Sequence, residues 1–162
     1  MAIYCEFEGI KGDVTATGFE GHISLSSFNF NASRHVSMVP GNVANRESSI
    51  PLLSEITLTK GLDGSSPLLF KASVAAAAGK PVKLHFVRTA DQSIQEYLRF
   101  ELTDCVVSSY RISAQGGEGI RPREELKLSY TSIIISHTQY DKSNKVGTPV
   151  RSGYDLATGK TI

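Results

Sequence analysis

Residues 53–79 read LSEITLTKGLDGSSPLLFKASVAAAAG, a strand pattern followed by a short helix signal. Within the first eight residues the side chains alternate, so Ile56 and Leu58 fall on one face of a predicted strand. The polar residues of the other face are Glu55, Thr57 and Thr59. A single helix set among strands limits the possible folds, which makes this stretch the most informative part of the sequence.

The helix predicted over residues 66–78 carries a signal at each end. Ser66 can accept a hydrogen bond from a free N–H group as the N-cap, and Pro67 stands where no backbone donor is required. Gly79 can end the helix in a left-handed conformation. The predicted apolar stripe of the helix consists of Leu69, Phe70, Val74 and Ala77.

Alternation predicts strands on both sides of this stretch. After the helix, one face holds Val82, Leu84 and Phe86, and the further predicted strands are residues 3–7, 22–30, 96–110 and 124–140. The apolar parity switches around Ser26-Ser27, which predicts a bulge or a sharp bend. Several strands with one helix and no βαβ rhythm indicate a mainly β fold, a barrel or a sandwich. The 162 residues fit a single domain, 1–162.

Residues 32–51 form the longest predicted loop. They hold few bulky apolar residues and several turn formers. A loop of this length is uncommon inside a compact domain, and such loops tend to be functional or disordered. Two interpretations are equally open: a flexible surface insertion, or an arm that grips a neighbouring subunit.

Three consecutive isoleucines, Ile133 to Ile135, lie in the last long strand pattern. Because side chains alternate along a strand, both faces are apolar at this point. One face belongs to the core. The other is therefore expected to contact a second protein surface or a packed helix.

The composition excludes several classes of protein. Lys plus Arg number 17 and Asp plus Glu 16, so the formal charge of +1 gives no general attraction to nucleic acid or acidic membranes. No stretch approaches the length of a membrane span, and the N-terminus lacks the basic and apolar regions of a conventional secretory signal. Cys5 and Cys105 are too few for a disulfide scaffold and are expected to be buried thiols.

The sequence shows no constellation that predicts catalysis. The histidines have no ligand spacing with each other or with the cysteines, so neither a metal site nor a cofactor is predicted; they are His22, His35, His85 and His137. Residues 116–119, GGEG, lack the context of a phosphate loop and favour a hairpin connection. No serine lies in a nucleophile elbow. His85, on the polar face of its strand, is expected to be solvated or to form an interface hydrogen bond.

Several blocks follow one another in an order shared with one known family. The segment FNFN (28–31) stands where that family has an aromatic–small–aromatic strand, and LSEITLTK (53–60) with DGSSPLL (63–69) is similar to its most recognisable motif. Further similar blocks are EYL (96–98), VVSS (106–109), GGE (116–118) and TPVRSGYDL (148–156). The stretch CEFEGIKG (5–12) keeps only the family's outline. The chain thus resembles the hemolysin-coregulated protein (Hcp) family, the tube subunit of bacterial type VI secretion.

The resemblance implies a tight β-barrel of long antiparallel strands with one short flanking helix and an extended loop. It implies a hexameric ring whose copies stack into a tube inside a contractile sheath, capped by a spike protein, with secreted effectors held in the lumen. It also implies a protein made in the bacterial cytoplasm without a signal peptide and exported by type VI secretion. Catalysis, cofactors, nucleic-acid binding and membrane insertion are not expected.

Particular residues can be assigned to the parts of such a tube. If Phe28 and Phe30 enter the core, alternation directs the residues between and beside them outward, so the expected lumen-facing residues are Ser27, Asn29 and Asn31. The loop expected to reach the next ring includes Arg34, His35, Val39, Asn42 and Arg46. The expected subunit interface is formed by Ile133, Ile134 and Ile135.

Two other functions are consistent with a β fold. One is a monomeric barrel that binds a lipid or sugar inside. Bulky core-facing residues argue against it because they would fill a small barrel; they are Phe86, Leu98, Phe100 and Leu102. The other is a hydrolase using His85 or His137, which predicts turnover that alanine at either position abolishes.

Overall fold

The computed structural model describes residues 1–41 and 49–162, which fold mainly into antiparallel strands. The helix α1 spans Ser66–Val74. The strands are β1 (Ala2–Phe7), β2 (Ile23–Leu25), β3 (Ser27–Asn29), β4 (Ala32–Ser33), β5 (Leu52–Leu53), β6 (Ile56–Gly61), β7 (Lys80–Ala90), β8 (Ser93–Ser113), β9 (Arg123–Ser129), β10 (Ser132–His137), β11 (Val150–Asp155) and β12 (Lys160–Thr161). The predicted mainly β fold with one short helix is confirmed.

The 21-residue strand β8 joins two layers of sheet. Its first part pairs with β7 on one side and β10 on the other, within the strand order β12-β11-β10-β8-β7-β1-β2. From Val106 onward β8 pairs with β9, and that layer continues through β6 to β3. A register shift between Val107 and Ser109 follows the change of partner. A bulge of this kind increases the local bend, so β8 forms one corner of a barrel-like fold.

The chain between β2 and β3 forms the opposite corner. Ser26 lies between these strands, and its N–H donates to the carbonyl oxygen of Thr59 at 2.7 Å. The break predicted at Ser26-Ser27 is therefore confirmed. Within the described residues the two layers are joined here by the chain itself, so the ladder does not close continuously around the barrel.

Aromatic side chains fill the space between the two layers. The rings of Phe28 and Phe86 lie 4.7 and 5.8 Å from the ring of Phe100, measured between centroids. Leu58 and Leu84 are fully buried beside them. The inward faces predicted for β6 and β7 are confirmed, and the interior is packed with side chains.

The helix is shorter than predicted. Pro67 lies in its first turn, as predicted, but the predicted N-cap Ser66 and the predicted end at Gly79 are wrong. Its N-cap is Ser65, which makes no side-chain capping bond. The helix ends at Val74 because Ala75 turns to an extended conformation with φ −86° and ψ 133°. Gly79 does not adopt the left-handed conformation. It lies against the backbone of Asp104, whose carbonyl carbon would be 2.5 Å from a Cβ at position 79, so close approach explains the glycine.

The predicted apolar stripe of α1 is also wrong in most of its members. Leu69 is fully buried, and Ala72, one turn later, packs against the core. Phe70 and Val74 are 55% and 68% exposed. Leu69 and Ala72, three residues apart, face the sheet. Val74 lies on the outer side of the helix, and Phe70 lies at its flank, where its ring is 6.1 Å from the ring of Tyr110 on β8.

The long loop is paired at its base. The two-residue strands β4 and β5 form a small antiparallel ladder. Below it, the N–H of Asn31 donates to Ser54 Oγ at 2.9 Å, and the N–H of Ser54 donates to the Asn31 carbonyl at 2.8 Å. Asn42 and Arg46 lie outside the described residues.

Both cysteines are buried free thiols, as predicted. Burial is the largest cause that raises the pKa of Cys5, and burial followed by the charge of Asp104 raises the pKa of Cys105 to about 12. Neither sulfur is therefore a thiolate near neutral pH. Across the residues that the structure describes, no helix has the length and apolar character needed to span a membrane.

Candidate functional site

The outer face of the second layer is polar across all four of its strands. Residues directly opposite each other on neighbouring strands share a face. The register therefore defines two rows, Ser27–Thr59–Glu125–Arg111 and Asn29–Thr57–Lys127–Ser109. These eight residues are called the polar face below. It combines hydroxyl and amide groups with charges of both signs.

Alternation along the strands produces the polar face. Between Ser27 and Asn29, the ring of Phe28 points inward to the core, and Leu58 and Leu126 do the same on the neighbouring strands. The hydroxyl groups of Ser27 and Thr59 share a hydrogen bond of 2.6 Å. The three predicted lumen residues, Ser27, Asn29 and Asn31, are all exposed.

A buried ion pair lies beneath the polar face. Lys60 and Glu124 stand opposite each other on β6 and β9, and the side chains of both have no exposed surface. The ammonium group of Lys60 donates to a carboxylate oxygen of Glu124, and it also contacts Ser66 Oγ at 3.2 Å. The hydroxyl of Tyr110 donates to the other Glu124 oxygen. Each charged group is thus fully surrounded by partners, as a buried charge requires.

The same lysine fixes the connection from β6 to α1. Lys60 Nζ lies 2.8 Å from Asp63 Oδ1, and the N–H of Ser65 donates to that oxygen at 2.9 Å. Burial acts to raise the pKa of Asp63, but hydrogen bonds from Lys60 and Ser65 outweigh it and hold the pKa below its ordinary value. Ser66, predicted as the N-cap, donates instead to Glu124 Oε2 at 2.8 Å.

The described part of the predicted ring-stacking loop is largely exposed. Arg34 Nε lies 3.3 Å from Ser49 Oγ, and His35 is exposed. Four large apolar side chains of this region are also open to solvent; they are Met38, Val39, Ile50 and Leu52, with exposed fractions between 61% and 81%. Water-exposed apolar groups at this density mark a surface that can be covered by a partner.

The three isoleucines of β10 differ in their surroundings. Ile133 is a core residue with 3% exposure, and Ile135 packs against the same core. Ile134 points to the outer face, where its Cγ1 approaches Gly153 of β11 closely. Of the three, Ile134 is therefore the one that lies on the outer face of β10, and the subunit interface predicted here stays a prediction.

The sequence contains a signal for the buried ion pair, because both charged residues fall on the inward parity of their strands. Lys60 shares the parity of Ile56 and Leu58, and Glu124 shares that of Leu126 and Leu128.

The surroundings of His85 differ from those predicted. It was expected to be solvated or in an interface, but it is 7% exposed, because Phe19 from the connection before β2 covers it.

These features define a class of protein: a two-layer antiparallel β fold with one short helix, a polar sheet face and an extended loop. The family model described as "Type VI secretion system effector, Hcp" matches residues 4–137. The chain therefore belongs to the Hcp family of type VI secretion proteins.

Individual relatives agree with this assignment. Protein hcp1 of Pseudomonas aeruginosa is 27% identical over 105 residues, and the match covers 64% of this chain and 64% of that protein. A solved structure of a type six secretion system protein superposes with a TM-score of 0.90 over 99% of both chains, at 22% identity. Hcp1 from Salmonella typhimurium gives a TM-score of 0.79 over 99% of this chain and 98% of that one, also at 22% identity. The structural likeness shows a shared fold.

Proposed function

We propose that this protein is the tube subunit of a type VI secretion system. In this proposal it forms hexameric rings that stack into an exported tube, and it carries or protects effectors in the ring lumen. The polar face is the observation that carries the proposal. It forms two continuous rows across four strands, and all eight of its residues are polar; Val106, opposite Ser129, is an exposed apolar residue on the same face beyond the second row.

The composition of the polar face suits a conduit. Hydroxyl and amide groups are well hydrated and provide weak, reversible contacts with a passing protein. Glu125 stands opposite Arg111, which leaves the face without a strong field of one sign. A cargo can therefore be held without being trapped by charge. In the ring, Ser27, Asn29 and Asn31 line the lumen.

Apolar surface elsewhere on the subunit supports self-association. Closed rings use heterologous contacts, in which one patch meets a different patch on the next copy. On α1, exposed apolar side chains are Leu68, Phe70 and Val74; around β11 and β12 they are Val150, Leu156 and Ile162. Two separate apolar regions of this kind match the requirement. Ile134 and Ile135 belong to the seam, and the loop with Arg34, His35 and Val39 reaches the next ring.

The remaining parts of the proposal follow from this role. The subunit needs no catalytic group, cofactor or nucleic acid. Its partners are further copies of itself, the contractile sheath, the spike protein and the effectors. It is made in the bacterial cytoplasm and leaves the cell through the apparatus that it builds.

The first experiment is an absolute mass by light scattering, with negative-stain images of the same fraction. Annular particles of about six times the 17.5 kDa chain mass support the proposal. A monomer at every concentration would contradict the ring. It would favour the ligand-binding barrel, although the packed interior around Phe100 argues against an internal ligand.

A charged residue on the polar face tests the lumen assignment. Asn29→Arg adds a long cation to an exposed position away from the core, so the ring mass should not change. Retention of co-expressed effector should fall at least severalfold, because the cation changes both the width and the charge of the lining. The matched control is Thr15→Arg, on the connection before β2. Unchanged retention in Asn29→Arg rings would remove this strand from the lumen.

A further inference from the structure

A group of potential metal ligands lies on the outer face of the first layer, distant in sequence and close in space. Glu6, His22 and His85 each offer one ligand atom, and the three atoms lie within 4.8 Å of one another. In the strand register His85 stands opposite Tyr4, and His22 precedes the pair Cys5–Ile23, which brings it next to Glu6. The polar face and the buried Lys60 pair are not part of this group.

His85 has one ring nitrogen that is satisfied and one that is not. Its Nδ1 lies 2.8 Å from Glu96 Oε2. Because a carboxylate only accepts, Nδ1 carries a proton, and in the neutral imidazole Nε2 is then the nitrogen with the lone pair that a metal ion can take. Nε2 is buried without a hydrogen-bond partner, at 3.5 Å from Glu6 Oε2. A buried ring nitrogen without a hydrogen-bond partner lowers the stability of the fold, and among the described residues no other group of the protein is available to pair with it.

His22 also has one ring nitrogen with a hydrogen-bond partner and one without. Its Nδ1 lies 3.4 Å from the carbonyl oxygen of Glu20, which is also only an acceptor, so its Nε2 is again the free nitrogen. The two imidazole rings are 5.3 Å apart between centroids. The ring of Phe19 packs on both, at 5.6 Å from His22 and 5.3 Å from His85. It therefore shields the pair of imidazoles from solvent on one side.

The backbone around His22 is held in place by the connection that precedes it. The N–H of Gly12 donates to the Gly21 carbonyl at 2.9 Å, and the N–H of Val14 donates to the His22 carbonyl at 3.2 Å. At Gly12, a Cβ would lie 2.7 Å from the Cα of Ile23, so only glycine permits this approach. The imidazole of His22 is thus carried by a backbone segment that hydrogen bonds hold against the sheet.

We propose that Glu6, His22 and His85 bind a divalent transition-metal ion of the zinc class, one per chain. Two imidazoles and one carboxylate are a known ligand set for Zn²⁺, with a fourth position left to water. Tetrahedral zinc places its ligand atoms roughly 3.3 Å apart. The 3.5 Å between His85 Nε2 and Glu6 Oε2 already matches that spacing, and the half-exposed Glu6 can adjust.

Glu96 acts as a positioning residue in this site. Its carboxylate orients the imidazole of His85 from the far side, as carboxylates commonly do for metal-bound histidines. Arg99 Nε holds the other oxygen of Glu96 at 2.5 Å. The bound ion links β1, β7 and the connection before β2, and it therefore stabilises this corner of the subunit.

The test uses untagged, metal-free protein titrated with Zn²⁺ in a calorimeter, and with Co²⁺ for its tetrahedral absorption bands. Wild type is expected to bind one ion per chain. Glu6→Gln and His22→Asn should each lower the affinity at least tenfold, and Glu96→Gln should lower it about 10–100-fold. His137→Asn, an exposed histidine of β10, is the matched control and should bind like wild type.

His85→Asn also removes a buried contact, so its folding is checked by circular dichroism, and the decision rests on Glu6→Gln and His22→Asn. Wild-type affinity in both of these variants would overturn the proposal. So would the absence of saturable Zn²⁺ binding to the wild type. An octahedral Co²⁺ spectrum that His22→Asn leaves unchanged would equally assign binding to surface groups. The ring mass is read in parallel, and metal binding to a monomer would leave this inference standing while the tube proposal fails.

Discussion

At the scale of single residues, Lys60 does most to order the chain around it. It is a charged side chain on the inward parity of β6, with no exposed surface. Transferring an ammonium group from water to the protein interior costs roughly several kcal/mol unless opposite charges and hydrogen bonds replace the water. Glu124, Asp63 and Ser66 provide that replacement, and in doing so they fix the loop that leads into α1.

Removing one partner of this pair should destabilise the fold strongly. Lys60→Met leaves the carboxylate of Glu124 buried without its cation, and we expect the free energy of unfolding to fall by about 3–5 kcal/mol. The double variant with Glu124→Leu should recover part of the loss, because the fully buried carboxylate is then removed, while Asp63 still loses its cation and keeps only its hydrogen bonds from Ser65. Urea denaturation of the four proteins in a double-mutant cycle measures the coupling.

The control for that cycle is Lys83→Met, because the ion pair of Lys83 with Glu6 has both side chains almost half exposed. An exposed pair contributes about 0–1 kcal/mol, so this variant should be nearly as stable as wild type. Equal losses for Lys60→Met and Lys83→Met would mean that the buried network does not stabilise the fold.

Tyr110 should make the fold sensitive to alkaline pH. Burial, and then the hydrogen bond to Glu124 with its negative charge, raise the pKa of Tyr110 from 10.0 to about 12. A pKa raised in the folded state gives stability that is complete below pH 10 and is lost as the pH rises toward 12. The stability difference between wild type and Tyr110→Phe, measured in urea, should therefore shrink between pH 8 and pH 11. A constant difference would show that Tyr110 keeps an ordinary pKa.

At the scale of elements, alternation predicted the long strands because each inward face is apolar over several residues, but it joined β9 and β10 into one run and missed β11 and β12. The break at Ser26 was also readable, since the apolar parity itself changes there. The end of α1 could not be predicted from the sequence in the same way. Gly79 looks like a helix terminator in the sequence, but its reason is the backbone of Asp104, which only the fold brings close.

The close approach of the Gly79 and Asp104 backbones leads to a prediction about the start of β7. In Gly79→Ala, the new Cβ would lie 2.5 Å from the carbonyl carbon of Asp104, so one of the two backbones must shift. We expect a loss of about 1–3 kcal/mol in the free energy of unfolding. Gly116→Ala is the control, because a Cβ there meets nothing within 4 Å. If thermal denaturation ranked the two variants equally, close approach would not explain the glycine.

At the scale of the whole molecule, strand order decides which residues meet. His22 and His85 come together only because β1 pairs with both β2 and β7. The polar face likewise requires the order β3-β6-β9-β8. A pattern of alternation predicts which way a side chain points along its own strand, but it does not specify the neighbouring strand. For this reason the exposure of Asn29 could be predicted, whereas its row with Thr57 and Lys127 could not.

The exposed loop provides a test of the proposed stacking of rings. Met38 and Ile50 are 81% and 79% exposed near the base of the loop, and burying such side chains against a second ring would contribute about 1.5–3 kcal/mol each. The double variant Met38→Ser, Ile50→Ser should therefore leave the ring mass unchanged and raise the concentration needed for stacking by about a hundredfold or more. Met38→Leu with Ile50→Leu keeps the apolar surface and should stack like wild type. Stack lengths are read by electron microscopy over a concentration series. Intact rings of the serine variant that stacked at wild-type concentrations would exclude the loop base from the contact, because its loss of apolar surface cannot be silent in an interface that buries it.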